Sequence, residues 1–174
     1  NDWIFDVSIT ANRPDCQSIF GLAREVSAAL GQPLKMPALD YTETEVEKEG
    51  FEVTVEAQDL CPRYLAHYVY DVKLGQSPAW MRRRLALVGN NSISNIVDIT
   101  NYIMRELGQP LHAFDCDYLE GNAICVRRAT EGEKIVTLDE KEFTLNPNNL
   151  VICDGKKPVA LAGIMGGLNS EIRD

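Results

Sequence analysis

The chain has no apolar run approaching the roughly 18 residues that a membrane helix needs, which excludes a span of that kind. It has no CxxC pair. Its five cysteines, Cys16, Cys61, Cys116, Cys125 and Cys153, are odd in number and scattered, whereas zinc sites and disulfide frameworks need closer or paired spacing. They read as reduced structural thiols, which implies a reducing interior such as the cytosol. Positive charge is short: 17 Lys and Arg face 26 Asp and Glu, for a formal net charge of −9. That balance argues against coating nucleic acid or membrane by bulk electrostatics, and leaves room for a local basic patch. GxSxG, HExxH, GxxxxGK[ST] and GxGxxG are all missing, so the common hydrolase, zincin and nucleotide-loop templates do not apply. There is no internal repeat and no low-complexity tract. Asn1-Asp2-Trp3 brings no initiator Met, basic n-region or small-residue cleavage site, and so does not read as a signal peptide. With the abrupt end at Ser170 to Asp174, the chain is expected to be an excerpt from a longer polypeptide.

What is present is ordinary globular composition: 174 residues, 45% hydrophobic and 25% charged. The length suits one domain, or one with an appendage, and is enough to bury a core without staples. Trp3, Phe5, Val7 and Ile9 alternate with Asp6 and Ser8 and predict a strand. A helix follows, with apolar positions at Ile19, Leu22, Ala23, Val26 and Leu30. Gly31 stands at its C′ position and Pro33 beyond the stop. Residues 40–50 are acidic (Glu43, Glu45, Glu47, Glu49) and read as an exposed connector. Phe51 to Ala57 alternates and predicts a strand, as does the aromatic, β-branched run Tyr64 to Leu74. Ser77-Pro78 reads as an N-cap with proline at the first helical position, opening a helix that Gly89 closes.

Ile96, Val97, Thr100, Ile103, Met104 and Leu107 mark another amphipathic helix, ended by Gly108 and Pro110. The last third predicts short strands at Ala123 to Arg128, a hairpin from Lys134 to Leu145, and strands Asn149 to Cys153 and Pro158 to Ile164 about a turn at Asp154-Gly155. Strands early and late with helices between favour an α+β fold: a layered, β-sandwich-like domain with mixed or antiparallel sheets and about three helices.

Several groups carry possible chemistry. Arg82, Arg83 and Arg84 are either a solvated face or a phosphate contact, since arginine forks suit phosphate. Gly163-Ile164-Met165-Gly166-Gly167 is either a tight turn or a place where a ligand approaches backbone N–H groups closely. Only His67 and His112 titrate near neutrality unperturbed. His67 sits in an apolar run and reads as a packed or edge histidine. His112 follows a helix stop and a turn, where functional groups concentrate. Asn95, Asp98, Thr100 and Asn101 lie on a helix with an apolar face, so some must either cap a neighbour or reach a ligand. Spacing does not choose between these.

Longer stretches carry a resemblance. Asn12-Arg13-Pro14-Asp15-Cys16, Gly21 to Val26, Cys61-Pro62-Arg63-Tyr64, Ser77-Pro78 with Trp80-Met81, and Asn95 to Tyr102 appear in order. Glu106 to Asp115 (ELGQPLHAFD), Arg127-Arg128-Ala129, Thr137-Leu138-Asp139 and Leu161 to Gly167 follow. Over nearly its whole length the sequence resembles the editing module in the beta subunit of bacterial phenylalanyl-tRNA synthetase. Residues 1–174 would then be a single editing domain, truncated at both ends. The resemblance implies hydrolysis of mischarged Tyr-tRNA(Phe) inside an enzyme that ligates phenylalanine to tRNA(Phe). It implies no cofactor or metal in this domain, and ATP and magnesium in the parent enzyme. It further implies the tRNA(Phe) acceptor end and an alpha subunit as partners, in an assembly of two alpha and two beta subunits, in the cytoplasm and off the membrane.

By position, His112 matches the editing histidine, which positions or deprotonates water or binds the terminal adenosine. Thr100 and Asn101 match polar wall residues, Gly163 matches a glycine whose N–H meets the tyrosine hydroxyl, and Pro110 and Gly166 shape the pocket. Two departures stand out: Asn91 replaces an arginine at the pocket mouth, for which Arg82 to Arg84 are candidate substitutes, and the family's tyrosine-binding glutamate would lie beyond Asp174. Two alternatives follow, a non-catalytic scaffold that guides the tRNA end and props the subunit interface, and a free-standing relative of the module with other substrates.

Overall fold

The computed structural model describes residues 3–42 and 50–172; the acidic run from Glu43 to Glu49 lies outside the described residues. The chain divides into two compact units. One is built from Asn1–Glu43 and Lys73–His112, the other from Thr44–Val72 and Ala113–Asp174. Among the described residues the class is α+β, with three α-helices, a mixed sheet and a small antiparallel one, and no barrel.

The first unit is helical. A turn of 3₁₀ helix, Pro14–Gln17, leads into α1 (Ile19–Leu30). Ser18 starts α1 because its Oγ accepts the Gly21 N–H at 3.0 Å, and Gly31 ends it in the left-handed region at φ 61°, where its N–H reaches the Ser27 carbonyl. α2 (Ala79–Leu87) and α3 (Asn95–Leu107) follow. Gly108, at φ 78°, ends α3 in the same way, returning its N–H to Met104. Met81 and Leu85 are buried, but the apolar stripe expected of α1 is only partly covered. Leu22 and Ala23 are half-buried, whereas Ile19, Val26 and Leu30 remain exposed. Periodicity marks a face that can be buried; it does not supply the neighbour.

The second unit holds the sheets. β1 (Glu52–Val55) pairs parallel to β2 (Ala123–Arg128), Val55 opposite Val126. β2, β5 (Leu150–Cys153), β6 (Pro158–Leu161) and β7 (Met165–Gly166) are antiparallel, in sheet order β1-β2-β5-β6-β7. β3 (Lys134–Val136) and β4 (Glu142–Thr144) form the expected hairpin. Ile135 from this hairpin packs with Ala129, Leu145, Val151, Cys153 and Leu161, so one apolar cluster is shared by both sheets. A second cluster gathers Leu119, Ile124 and Val159 against Phe51, Tyr64, Phe114 and Ile152.

Three expectations are corrected. Trp3 to Ile9 forms no strand, and Trp3, Phe5 and Val7 are exposed; alternation alone needs a sheet edge to lie on. Tyr64 to Leu74 forms none either. Asp71 takes φ 54°, a left-handed kink incompatible with a continuous extended run, and the Tyr68 and Tyr70 rings stack at 6.3 Å. Ser77 does not cap α2, which begins at Ala79 after Pro78; its hydroxyl goes to Asp98 instead. The five cysteines are all free thiols, with Cys16 and Cys153 buried. Among the described residues no helix is long and apolar enough to cross a membrane.

Candidate functional site

The polar string on α3 divides by what each side chain holds. Asn95 donates to the Lys73 carbonyl at 2.9 Å and accepts the Gly75 N–H, tying the approach to α2 onto the start of α3. Asp98 is fully buried. It accepts the Ser77 and Ser92 hydroxyls and, at 2.9 Å, the Ile93 N–H. Burial works to raise its pKa, but these three donors and the nearby Arg82 outweigh it and hold the carboxyl below its usual range. One carboxylate thus fixes the lead into α2 and the loop ahead of α3, which contains Asn91.

Thr100 turns its hydroxyl onto its own helix, donating to the Val97 carbonyl at 2.8 Å, which leaves its oxygen lone pairs as acceptors. Asn101 is half-buried beside it in sequence. After the Gly108 stop the chain runs through exposed Pro110, whose carbonyl accepts the Gln109 amide at 3.1 Å, to His112. Much of the His112 surface is exposed, yet the surrounding protein disfavours the imidazolium and lowers its pKa below 6.5. At neutral pH this shift favours the uncharged ring.

Thr100, Asn101, Pro110 and His112 all belong to the helical unit, and Gly163 and Gly166 to the other. Gly163 forms the turn between β6 and β7 at φ 72°, and a Cβ placed there would meet nothing within 4 Å. Its glycine is required by backbone conformation, and the space beside it is open. Gly166 is buried within β7, opposite Ala160, and its carbonyl accepts the Leu138 N–H at 3.0 Å. The short strand β7 was not foreseen in the glycine-rich run; two residues are too few for periodicity to register.

The three consecutive arginines separate. Arg82 faces Asp98, and its Nε is buried without a partner among the described residues. Arg84 donates to the Tyr102 hydroxyl at 2.6 Å and lies 5.5 Å from the centroid of the Trp80 ring. Arg83 is exposed. The Trp80, Tyr102 and Arg84 cluster was missed as a unit, although Trp80, Arg83, Arg84 and Leu87 stand at i, i+3, i+4 and i+7.

Among the described residues, Asp15, Cys16 and Glu25 bring possible metal-ligand atoms within 4.8 Å of one another. Arg13 already bridges both carboxylates, at 2.8 Å to Asp15 and 2.6 Å to Glu25. Hydrogen bonding from Arg13 holds the Asp15 carboxyl at about 2. The cluster reads as an ion-paired brace at the start of α1.

Residues 60–174 match the family model described as the B3/4 domain, and the chain belongs to that family. Among curated proteins it is 57% identical over 176 residues to a phenylalanine–tRNA ligase beta subunit of Syntrophus aciditrophicus, covering 99% of this chain and 22% of the relative. The beta subunit of Geobacter metallireducens is 53% identical over 99% of the chain, and that of Bdellovibrio bacteriovorus 51% identical over all of it, again covering 22% of each relative. The chain therefore spans about a fifth of the length of these relatives, and is similar throughout to one segment of a phenylalanine–tRNA ligase beta subunit.

Proposed function

We propose that this chain is a single domain that hydrolyses Tyr-tRNA(Phe), within the beta subunit of an enzyme ligating phenylalanine to tRNA(Phe). The observation that carries the reading is His112: a neutral imidazole on an exposed segment just past a capped helix, in a chain similar over its whole length to that subunit. The parent enzyme would use ATP and magnesium outside this domain and would pair two such subunits with two alpha subunits in the cytoplasm.

A second hydrolytic site answers a physical need. A hydrophobic pocket built for phenylalanine rejects an analogue with one added hydroxyl by only about a hundredfold. A site that hydrogen-bonds that hydroxyl leaves its polar groups unpaired when phenylalanine enters, and discriminates by about 10⁴ or more. In this reading the Gly163 N–H meets the tyrosine hydroxyl, and the open space beside it admits the ring, with Gly166 close by in the same unit. Thr100 and Asn101 offer acceptors and donors to the aminoacyl ester. His112 holds a water against the ester carbonyl. As the water oxygen bonds to that carbon, the bond to the ribose oxygen breaks, and the proton lost by water ends on the ribose hydroxyl. An aminoacyl ester is already activated, so positioning matters more than base strength.

The test is deacylation of Tyr-tRNA(Phe) and Phe-tRNA(Phe) by the full-length protein and its variants. His112→Ala is expected to lower tyrosine-selective hydrolysis at least tenfold while aminoacylation continues, and Gly163→Phe to block tyrosine entry. Parental rates in His112→Ala would remove the histidine from the reaction. No selective hydrolysis by the parent would leave a scaffold that guides the tRNA end.

A further inference from the structure

α2 carries three arginines and no acid, in a chain whose net charge is −9. Its buried side is Met81 and Leu85; the opposite stripe is Trp80, Arg83, Arg84 and Leu87, which together line a concavity of about 370 Å³. A second, of about 380 Å³, adjoins it through the shared Arg84 and Leu87 and is lined also by Tyr102, Arg105 and Glu106. Both lie within the helical unit.

The side chains here are organised rather than splayed into solvent. The Trp80 and Tyr102 rings meet edge to face, with centroids 5.5 Å apart at 89°. Arg84 lies over the indole and donates to the Tyr102 hydroxyl, which itself donates to Glu106 at 3.2 Å. Arg105 is anchored by Asn90 at 2.8 Å. A solvated charge run has no use for such bracing, since water serves exposed guanidinium groups equally well in any rotamer. Trp80 nonetheless keeps 52% of its surface open. An exposed indole with one guanidinium over its ring and others along the same stripe is the pairing that single-stranded nucleic acid uses: a flat face for a base and charge for the flanking phosphates. Among the described residues Glu106 is the one acid lining these concavities, against Arg83, Arg84 and Arg105, so the sign of the face remains positive.

We infer that the Trp80, Arg83, Arg84 and Arg105 face of α2 and α3 is a platform for single-stranded RNA, stacking a base on Trp80 and holding flanking phosphates with the arginines. The inference rests on the reading above that an RNA end reaches this chain, and deepens it by separating where the strand is gripped from where the ester is cut. Grip here is indifferent to the amino acid carried, so the platform supplies affinity and no discrimination between tyrosine and phenylalanine.

The experiment uses the full-length protein and a fluorescein-labelled hexaribonucleotide ending in CCA, read by anisotropy over a series of salt concentrations. Trp80→Ala is expected to weaken binding about tenfold or more, and Trp80→Phe, which keeps a ring, to restore most of it. Arg84→Gln should lower the slope of log Kd against log salt by about 0.7, the loss of one phosphate contact on a single strand. Trp80→Ala and Arg84→Gln both binding within about twofold of the parent overturns the platform, as does a parent that shows no saturable binding, which would assign this face to another protein segment. Should Trp80→Ala fail to fold, the salt slope of Arg84→Gln decides alone. Parallel deacylation by the parental protein separates the two claims. Trp80-dependent binding without tyrosine-selective hydrolysis keeps the platform and removes the editing reading; selective hydrolysis with Trp80-independent binding does the reverse.

Discussion

In the unit that carries the sheets, Val126, Val151 and Val159 are shielded almost completely, and the strands around them satisfy one another's backbone groups. In the helical unit the most enclosed side chains are Leu85 and Asp98, one apolar and one charged. The first region is held by area removed from water, spread over many residues. The second is held at a few polar points: Ser18 and Gly31 on α1, Gly108 on α3, and above all the Asp98 carboxylate with its three donors. Candidate site residues His112, Thr100 and Asn101 stand in this second, sparsely packed region. A region fixed by directional bonds can set atoms accurately without a large core, but loses that accuracy when one bond is removed.

The largest effect sharpens the sheet side of this contrast. Leu145→Ala, in the cluster shared by both sheets, is expected to cost about 3 kcal/mol by chemical denaturation, with loss of amide protection in β2, β3 and β5. A change below about 1 kcal/mol would show that this cluster is loosely packed. Next, Asp98→Ala should cost about 2 kcal/mol, because the buried Ser77 hydroxyl and the Ile93 N–H lose their acceptor. Its hydrogen-exchange signature is faster exchange at Ile93 and the first turn of α3. Equal loss of protection throughout the strands of the other unit would break the comparison, making Asp98 a global keystone rather than a local one.

The smallest effect concerns pH. His112 has a pKa below 6.5 when folded, so the unfolded chain binds its proton more readily. The stability contributed by keeping the ring neutral is fully present above its unfolded value and is lost as pH falls through the folded one. Between about pH 7.5 and about pH 5.5, the parent should therefore lose more stability than His112→Gln does. Equal losses would place His112 in ordinary solvent.

Much of the fold was legible where the informative contacts are local. The stops at Gly31 and Gly108, the periodicity of α3, the extent of β2 and the β3–β4 hairpin all follow from residues a few positions apart. Alternation at Trp3 to Ile9 and aromatic, β-branched composition at Tyr64 to Leu74 misled because both report a capacity for pairing and neither supplies the partner strand. Ser77 misled for the same reason: its partner Asp98 is 21 residues away, and a cap was the nearest use for its hydroxyl. The candidate site was less legible still. Spacing left His112 and Gly163 open, and their assignment came from resemblance. The Trp80 stripe, by contrast, was present in the helical spacing of α2 but hidden by reading Arg82 to Arg84 as one run.

The parallel pairing of β1 with β2 has a consequence for the order of assembly. Val55 and Val126 are partners across about seventy residues of intervening chain, much of it in the other unit, whereas β5 and β6 are joined by a turn of a few residues. Each doubling of a closing loop adds about 0.6 kcal/mol of entropy cost, so about four doublings set β1 roughly 2 kcal/mol behind the local hairpins. On this count the hairpins are expected to form first and β1 to join late, which φ-values at Val53 and Val55 near zero would check. Contacts made late are absent from the folding transition state and govern departure rather than arrival. Val53 and Val55 therefore act as the clasp of the sheet: weakening them shortens the lifetime of the folded state while leaving its rate of formation almost untouched.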